Sequence, residues 1–150
     1  MPYRICKTFE VENGHMLSKH PDRCRFPHGH TRRVEIVVES DGLDANEMVC
    51  DFKAVKGWIR DYLDVLDHAM CMNTDDPAYG EMRARYGERV VGFERRDPTT
   101  EVMAEEIFRR VRAGMDAHRV DGGVYALRGS VRLVSVRLWE TSSSWAEYFE

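Results

Sequence analysis

His28-Gly29-His30 is the sharpest chemical signal in this chain. In an extended backbone alternate residues point the same way, so the imidazoles flanking Gly29 can reach one metal ion. Gly29 adds no side-chain bulk on the opposite side. The pair continues the register of Val34, Ile36 and Val38, and upstream His15 continues the register of Phe9 and Val11. If these two runs pair as a hairpin, three imidazoles gather on the inward face near one end. Three neutral imidazoles at about 2.0–2.1 Å with one open position is the arrangement of a catalytic zinc, whereas structural sites close the fourth position, usually with cysteine. Cys24, four residues before His28, is the thiol that could close it. An HxH pair also occurs as ordinary strand histidines, and it is His15 in register, with Cys24 nearby, that favours zinc held by His15, His28 and His30. His20, in the polar run Ser18-Lys19-His20-Pro21-Asp22, and His118, after a helix, read as solvated.

The elements that must carry these residues follow from periodicity. Ile5, Phe9 and Val11 alternate with polar neighbours, with Lys7 breaking the apolar face, and predict a first strand. A second spans about 31–39 and ends at Ser40-Asp41-Gly42. Phe52, Val55, Ile59, Tyr62, Leu63 and Leu66 recur at helical spacing behind Asp51, a suitable N-cap. A second helix starts near Asp97-Pro98-Thr99-Thr100-Glu101, which offers a cap residue, a proline for the first turn and an early acid. Its core face is Met103, Ile107, Val111 and Met115. A short strand over 124–127, a longer one over 131–140 with Val134, Val136 and Leu138 on one face, and a terminal strand over 145–149 close the chain. Residues 74–96, charged and carrying Pro77, Gly80, Gly87 and Gly92, have no assigned structure. The order strand–strand–helix–helix–strand–strand predicts one α+β domain over residues 1–150, an antiparallel sheet with two helices on one face. Its unpaired edges point to self-association.

Composition narrows the partners. Charged residues make up 32% of the 150, but both signs are interspersed and the net charge is −4, so no basic stripe exists for nucleic acid. No apolar run approaches the roughly 20 residues that span a bilayer. Met1-Pro2-Tyr3-Arg4-Ile5-Cys6 lacks the apolar core of a signal peptide. Cys6, Cys24, Cys50 and Cys71 form no CxxC pair, and reduced thiols in the cytoplasm are expected.

His15, Cys24-Arg25-Phe26-Pro27-His28-Gly29-His30, Asp51-Phe52, Leu66-Asp67-His68, Pro98-Thr99-Thr100-Glu101 and Glu140-Thr141, in this order over nearly the whole chain, resemble the 6-pyruvoyltetrahydropterin synthase family. That family includes the 6-carboxytetrahydropterin synthases of queuosine biosynthesis. The resemblance implies the tunnelling fold, in which subunits join their sheets into a barrel and stack as a homohexamer with active sites at interfaces. It implies zinc on His15, His28 and His30, Cys24 as catalytic base and Asp67–His68 as the pair opposite it. It also implies Glu140 as the anchor of a pterin ring, with Thr99 and Thr100 lining that pocket.

The implied substrate is 7,8-dihydroneopterin triphosphate, losing triphosphate by elimination and then a two-carbon fragment, acetaldehyde, by a retro-aldol type cleavage. A pyruvoyl-forming synthase, which keeps the side chain, uses the same site. A non-catalytic zinc-binding assembly module is the alternative of a different class. Glu140 continues the register of Val136 and Leu138, so an inward carboxylate is expected, and such a group needs partners. Lys19, Arg23 and Arg25 are candidates for the triphosphate or simply solvated loop charges, and Cys6, Cys50 and Cys71 receive no role. The stretch between His68 and Pro98 is longer than expected for short bacterial members of the family.

Overall fold

The computed structural model describes residues 1–150. Strand β1 (Tyr3–His15) runs antiparallel to β2 (His28–Ser40), with His15 opposite His28 and Asn13 opposite His30. The hairpin inferred from alternation therefore forms in the register that gathers the histidines. Phe9, Val11, Val34, Ile36 and Val38 are all buried on its inward face.

Helix α1 (Phe52–Leu66) is capped by Asp51, whose side chain accepts from the Lys53 N–H at 2.7 Å. It buries Val55, Ile59 and Leu63 against the sheet. Helix α3 (Thr100–Asp121) lies beside it, burying Met103, Ile107, Phe108 and Val111. The two helices meet where a Cβ on Gly114 would fall 2.7 Å from the Trp58 carbonyl oxygen, so only glycine lets them pack this closely. Thr99 caps α3 by accepting from the Val102 N–H, and Pro98 precedes the first turn. His118 is not merely solvated: its Nδ1 accepts the Trp58 indole N–H at 2.9 Å.

Residues 74–96 depart most from the sequence expectation. They lie in a strand–helix–strand crossover of β3 (Ala69–Asn73), α2 (Tyr79–Tyr86) and β4 (Val90–Phe93). Parallel strands need such a long connection. β3 pairs parallel to β1, and β4 parallel to β3, so the sheet is mixed, in the order β4-β3-β1-β2-β5-β6. The expected purely antiparallel sheet with two helices is thus corrected to a mixed sheet with three.

β5 (Arg132–Thr141) and β6 (Ser144–Phe149) close it as an antiparallel hairpin. The short strand expected over 124–127 is absent. Gly122 and Gly123 both take positive φ and Val124 is 92% exposed, while Tyr125 and Leu127 pack against the core without pairing to any strand. The expected face Val134, Val136, Leu138 is also broken. A bulge lets Val38 pair with Leu133 while Val37 pairs with Ser135, and Leu133 takes the inward place instead of Val134.

Candidate metal centre and active site

Three imidazoles and one carboxylate converge at the end of the β1–β2 hairpin. The potential ligand atoms of His15, His28, His30 and Glu140 all lie within 4.8 Å of one another. His15 Nε2 stands 3.2 Å from His30 Nε2, and Glu140 Oε1 lies 3.1 Å from His30 Nε2 and 3.6 Å from His15 Nε2. Glu140 falls at a second bulge, where β6 pairs with Trp139 and Thr141 but skips the residue between them. Bulges commonly re-aim a side chain beside a site.

The outer bonds of the histidines settle their tautomers. His15 Nδ1 donates to the Pro98 carbonyl at 2.8 Å and His28 Nδ1 to the Phe26 carbonyl at 2.7 Å. A carbonyl only accepts, so both Nε2 atoms keep their lone pairs, as they do in histidines that bind metal ions. His28 Nε2 is buried with no hydrogen-bond partner, an orphaned acceptor that a metal ion would satisfy. The donor set fits a divalent metal.

Arg32, one strand repeat beyond His30 and only 1% exposed, is a further residue of the site that the histidine and cysteine spacing does not reveal. Its parity with His30, Val34 and Ile36 is the signal in the sequence that points it inward. Nη1 donates to Thr100 Oγ1 at 3.2 Å, and Nη2 stands 3.2 Å from His15 Nδ1. Gly14 and Gly29 face each other across the hairpin, and a Cβ on Gly29 would come within 3.2 Å of the Asn13 carbonyl oxygen.

Burial drives the His15 pKa from 6.5 down to about 4; Arg32, His28 and His30 add to this, and the Pro98 carbonyl opposes it. Burial also lowers His30, with Arg32 adding and Glu140 opposing. Both imidazoles stay neutral and ready for a metal. Below pH 6.5 the unfolded chain takes up a proton that folded His15 refuses. Stability of the metal-free protein is therefore full above pH 6.5 and falls towards pH 4, by about 3 kcal/mol for this group. Urea titrations across that window should show the loss and a flatter profile for His15→Gln. Identical slopes would refute it.

The remaining residues are placed as follows. Cys24 sits half-buried in a single 3₁₀ turn, Arg23–Arg25, its carbonyl accepting from the Leu17 N–H at 3.1 Å. Asp67 and His68 end α1. Asp67 Oδ2 accepts from His68 Nδ1 at 2.8 Å and Oδ1 accepts from the Glu12 N–H. The bond from His68, then that from Glu12, holds the Asp67 carboxyl below its ordinary range. His68 takes φ 58° and is exposed. No hydrogen bond joins this pair to Cys24 or to the imidazole cluster. The hydroxyls of Thr99 and Thr100 are engaged by the Val102 N–H and by Arg32. Lys19, Arg23 and Arg25 are exposed.

Two depressions open on the cluster. The larger, about 830 Å³, is lined by His28, His30 and His68 together with Met82, Tyr86 and Arg89 from the crossover and its end. The other, about 570 Å³, is lined by His30, Glu140, Trp139 and Thr141.

Fold and site together define an α+β protein with a side-chain group that could hold a metal ion and that opens to solvent, as catalytic rather than sealed structural centres do. The chain belongs to the 6-pyruvoyl tetrahydropterin synthase family, whose model matches residues 4–150. It is 30% identical over 168 aligned residues to a 6-carboxy-5,6,7,8-tetrahydropterin synthase of Aquifex aeolicus, covering 100% of this chain and 99% of that one. The synthase of the same name from Haemophilus influenzae is 26% identical, covering 99% of each. Among solved structures, a Wolinella succinogenes protein superposes with TM-score 0.77 at 24% identity, covering 99% of this chain and 98% of that one. The 6-pyruvoyltetrahydropterin synthase of Plasmodium vivax superposes with TM-score 0.71 at 16% identity and the same coverage. The fold is the tunnelling fold of this family.

Proposed function

We propose that this chain is a zinc-dependent 6-carboxy-5,6,7,8-tetrahydropterin synthase acting on 7,8-dihydroneopterin triphosphate, with release of triphosphate and acetaldehyde. The observation that carries the reading is the convergence of His15, His28, His30 and Glu140 within 4.8 Å. It lies in a chain that aligns end to end with curated synthases of that name.

His15, His28 and His30 would hold zinc, which when bound supplies Lewis acidity to the side-chain oxygens of the substrate. Glu140, beside Trp139 and Thr141 in the smaller depression, accepts from the N–H and amino groups of the pterin edge. Thr99 and Thr100 do not line that depression; their hydroxyls cap α3 and hold Arg32 behind the cluster. Cys24 takes a proton from the side-chain carbon as a thiolate base. His68, its Nδ1–H fixed on Asp67, moves protons through Nε2 on the other side.

Unpaired strand edges support a site shared between copies. β1 pairs with β3 only over Asn13–His15, so the rest of that edge is free, as is the outer edge of β6. Sheet joining of this kind would build a homohexamer. Free thiols at Cys6, Cys24, Cys50 and Cys71 support a reducing, cytoplasmic setting, and no helix is long and apolar enough to cross a membrane. Queuosine biosynthesis is the context we assign.

The description of the matching family model favours a second reading, a pyruvoyl-forming synthase that keeps the whole side chain. Incubating the zinc-loaded protein with dihydroneopterin triphosphate and identifying products by mass spectrometry separates the two. Acetaldehyde with 6-carboxytetrahydropterin is the expected result, and an intact three-carbon side chain would overturn it.

A further inference from the structure

We propose that Asp97 is a positioning residue that clamps the Cys24-bearing loop to the wall of the metal centre, an inference that rests on the catalytic reading of Cys24 above. Residues 16–27 connect β1 to β2 with no regular structure beyond the Arg23–Arg25 turn. Something else must fix the thiol relative to the imidazoles. Asp97, only 7% exposed, accepts from Ser18 Oγ at 2.6 Å and from the Lys19 N–H at 2.8 Å, both in this loop. Its Oδ1 also accepts from Asn73 Nδ2 at 3.1 Å, at the buried end of β3. The Leu17 N–H, next to Ser18, donates to the Cys24 carbonyl at 3.1 Å and passes the restraint to the turn.

Asp97 makes no ion pair and does not cap α3, a task done by Thr99. A buried carboxylate held only by neutral donors costs desolvation that nothing in the helix requires. Its neighbour supplies the reason. The Pro98 carbonyl is the group that takes the His15 Nδ1 proton at 2.8 Å. One residue grips the thiol's loop and the next orients a metal ligand. The proline ring fixes its own φ and restricts Asp97, so the two grips keep a constant spacing. Thr100 then takes the Arg32 bond, so the segment from Asp97 to Thr100 is tied at each of its four residues. A misplacement of about 1 Å at a reacting group costs roughly a hundredfold in rate, which is the scale this clamp controls.

Asp97→Asn tests it at nearly constant volume. Donors face both carboxylate oxygens, so an amide NH₂ meets another donor whichever way it turns. The measurements are metal per protomer, kcat and KM with dihydroneopterin triphosphate, and the iodoacetamide alkylation rate of Cys24 resolved by peptide mass spectrometry, with exposed Cys6 as internal reference. Expected are unchanged metal, KM within about twofold, kcat lower by roughly ten- to a hundredfold, and a severalfold change in the Cys24:Cys6 alkylation ratio. Ser18→Ala, which removes one donor and leaves the carboxylate, should move the same quantities less, and it carries the test if Asp97→Asn does not fold. A parent alkylation ratio and parent kcat in the folded variant, with only the melting temperature lowered, would overturn the clamp. Alkylation is read without substrate, so it decides the clamp even if Cys24→Ala kept parent turnover, the result that would instead overturn the catalytic reading.

Discussion

His28→Ala is expected to leave a folded protein that has lost its metal and about a thousandfold of its turnover, since several kcal/mol of transition-state charge stabilisation goes with the ion. His28 is the clean probe among the three. Its Nε2 has no partner within the chain, and its ring is only half-buried, so removal breaks just the bond to the Phe26 carbonyl. His15→Ala should behave differently. That ring is fully buried and bonded to Pro98, so its loss leaves a cavity and an orphaned carbonyl and should lower stability by roughly 2–4 kcal/mol as well. Elemental analysis of metal per protomer, beside turnover and urea midpoints, separates the two cases. Stoichiometric metal in His28→Ala at the parent rate would remove the foundation of the proposed function.

Cys24→Ala should retain its metal and lose about a hundred- to ten-thousandfold in kcat, the range of a positioned general base. Metal retention is expected because Cys24 is outside the group of ligand atoms that converge. The experiment decides between two roles the spacing to His28 leaves open, a base or a fourth ligand. Loss of metal along with activity would make the thiol a ligand and the centre a closed structural one. Turnover at the parent rate would make the thiol a bystander. Cys24→Ser, which keeps a weaker base in place, should fall between the parent and the alanine variant.

Much of the site was legible because it lies on a hairpin. Side-chain direction in a strand has period two, so His15, His28 and His30 inherit their inward aim from Phe9, Val11, Val34 and Ile36 without any knowledge of what packs above them. The Asp51 cap and the helix behind it are equally local, written in a side-chain acceptor and a 3.6-residue repeat. Glu140 was readable by the same parity, although Val134 on the same strand was not, because the bulge opposite Val37 and Val38 adds a residue that no pattern announces.

Long-range pairing decided the rest. β3 and β4 are five and four residues long, and their ladder partners lie far away in sequence, so local alternation had too little to work with. The 124–127 run shows the converse, since apolar residues with no neighbouring strand make no strand. Arg32 reads as a strand charge and Asp97 as part of a helix start until the fold buries them beside Thr100 and Ser18 and leaves the cap to Thr99. The residue pattern determined which groups could bind a metal and which face they share, because those properties reside in the covalent chain and its dihedral repeat. Tertiary structure alone brought His68 to the depression lined by His28 and His30 and put Asp97 against the Cys24-bearing loop, because contacts between remote segments exist only once the core has set their distance.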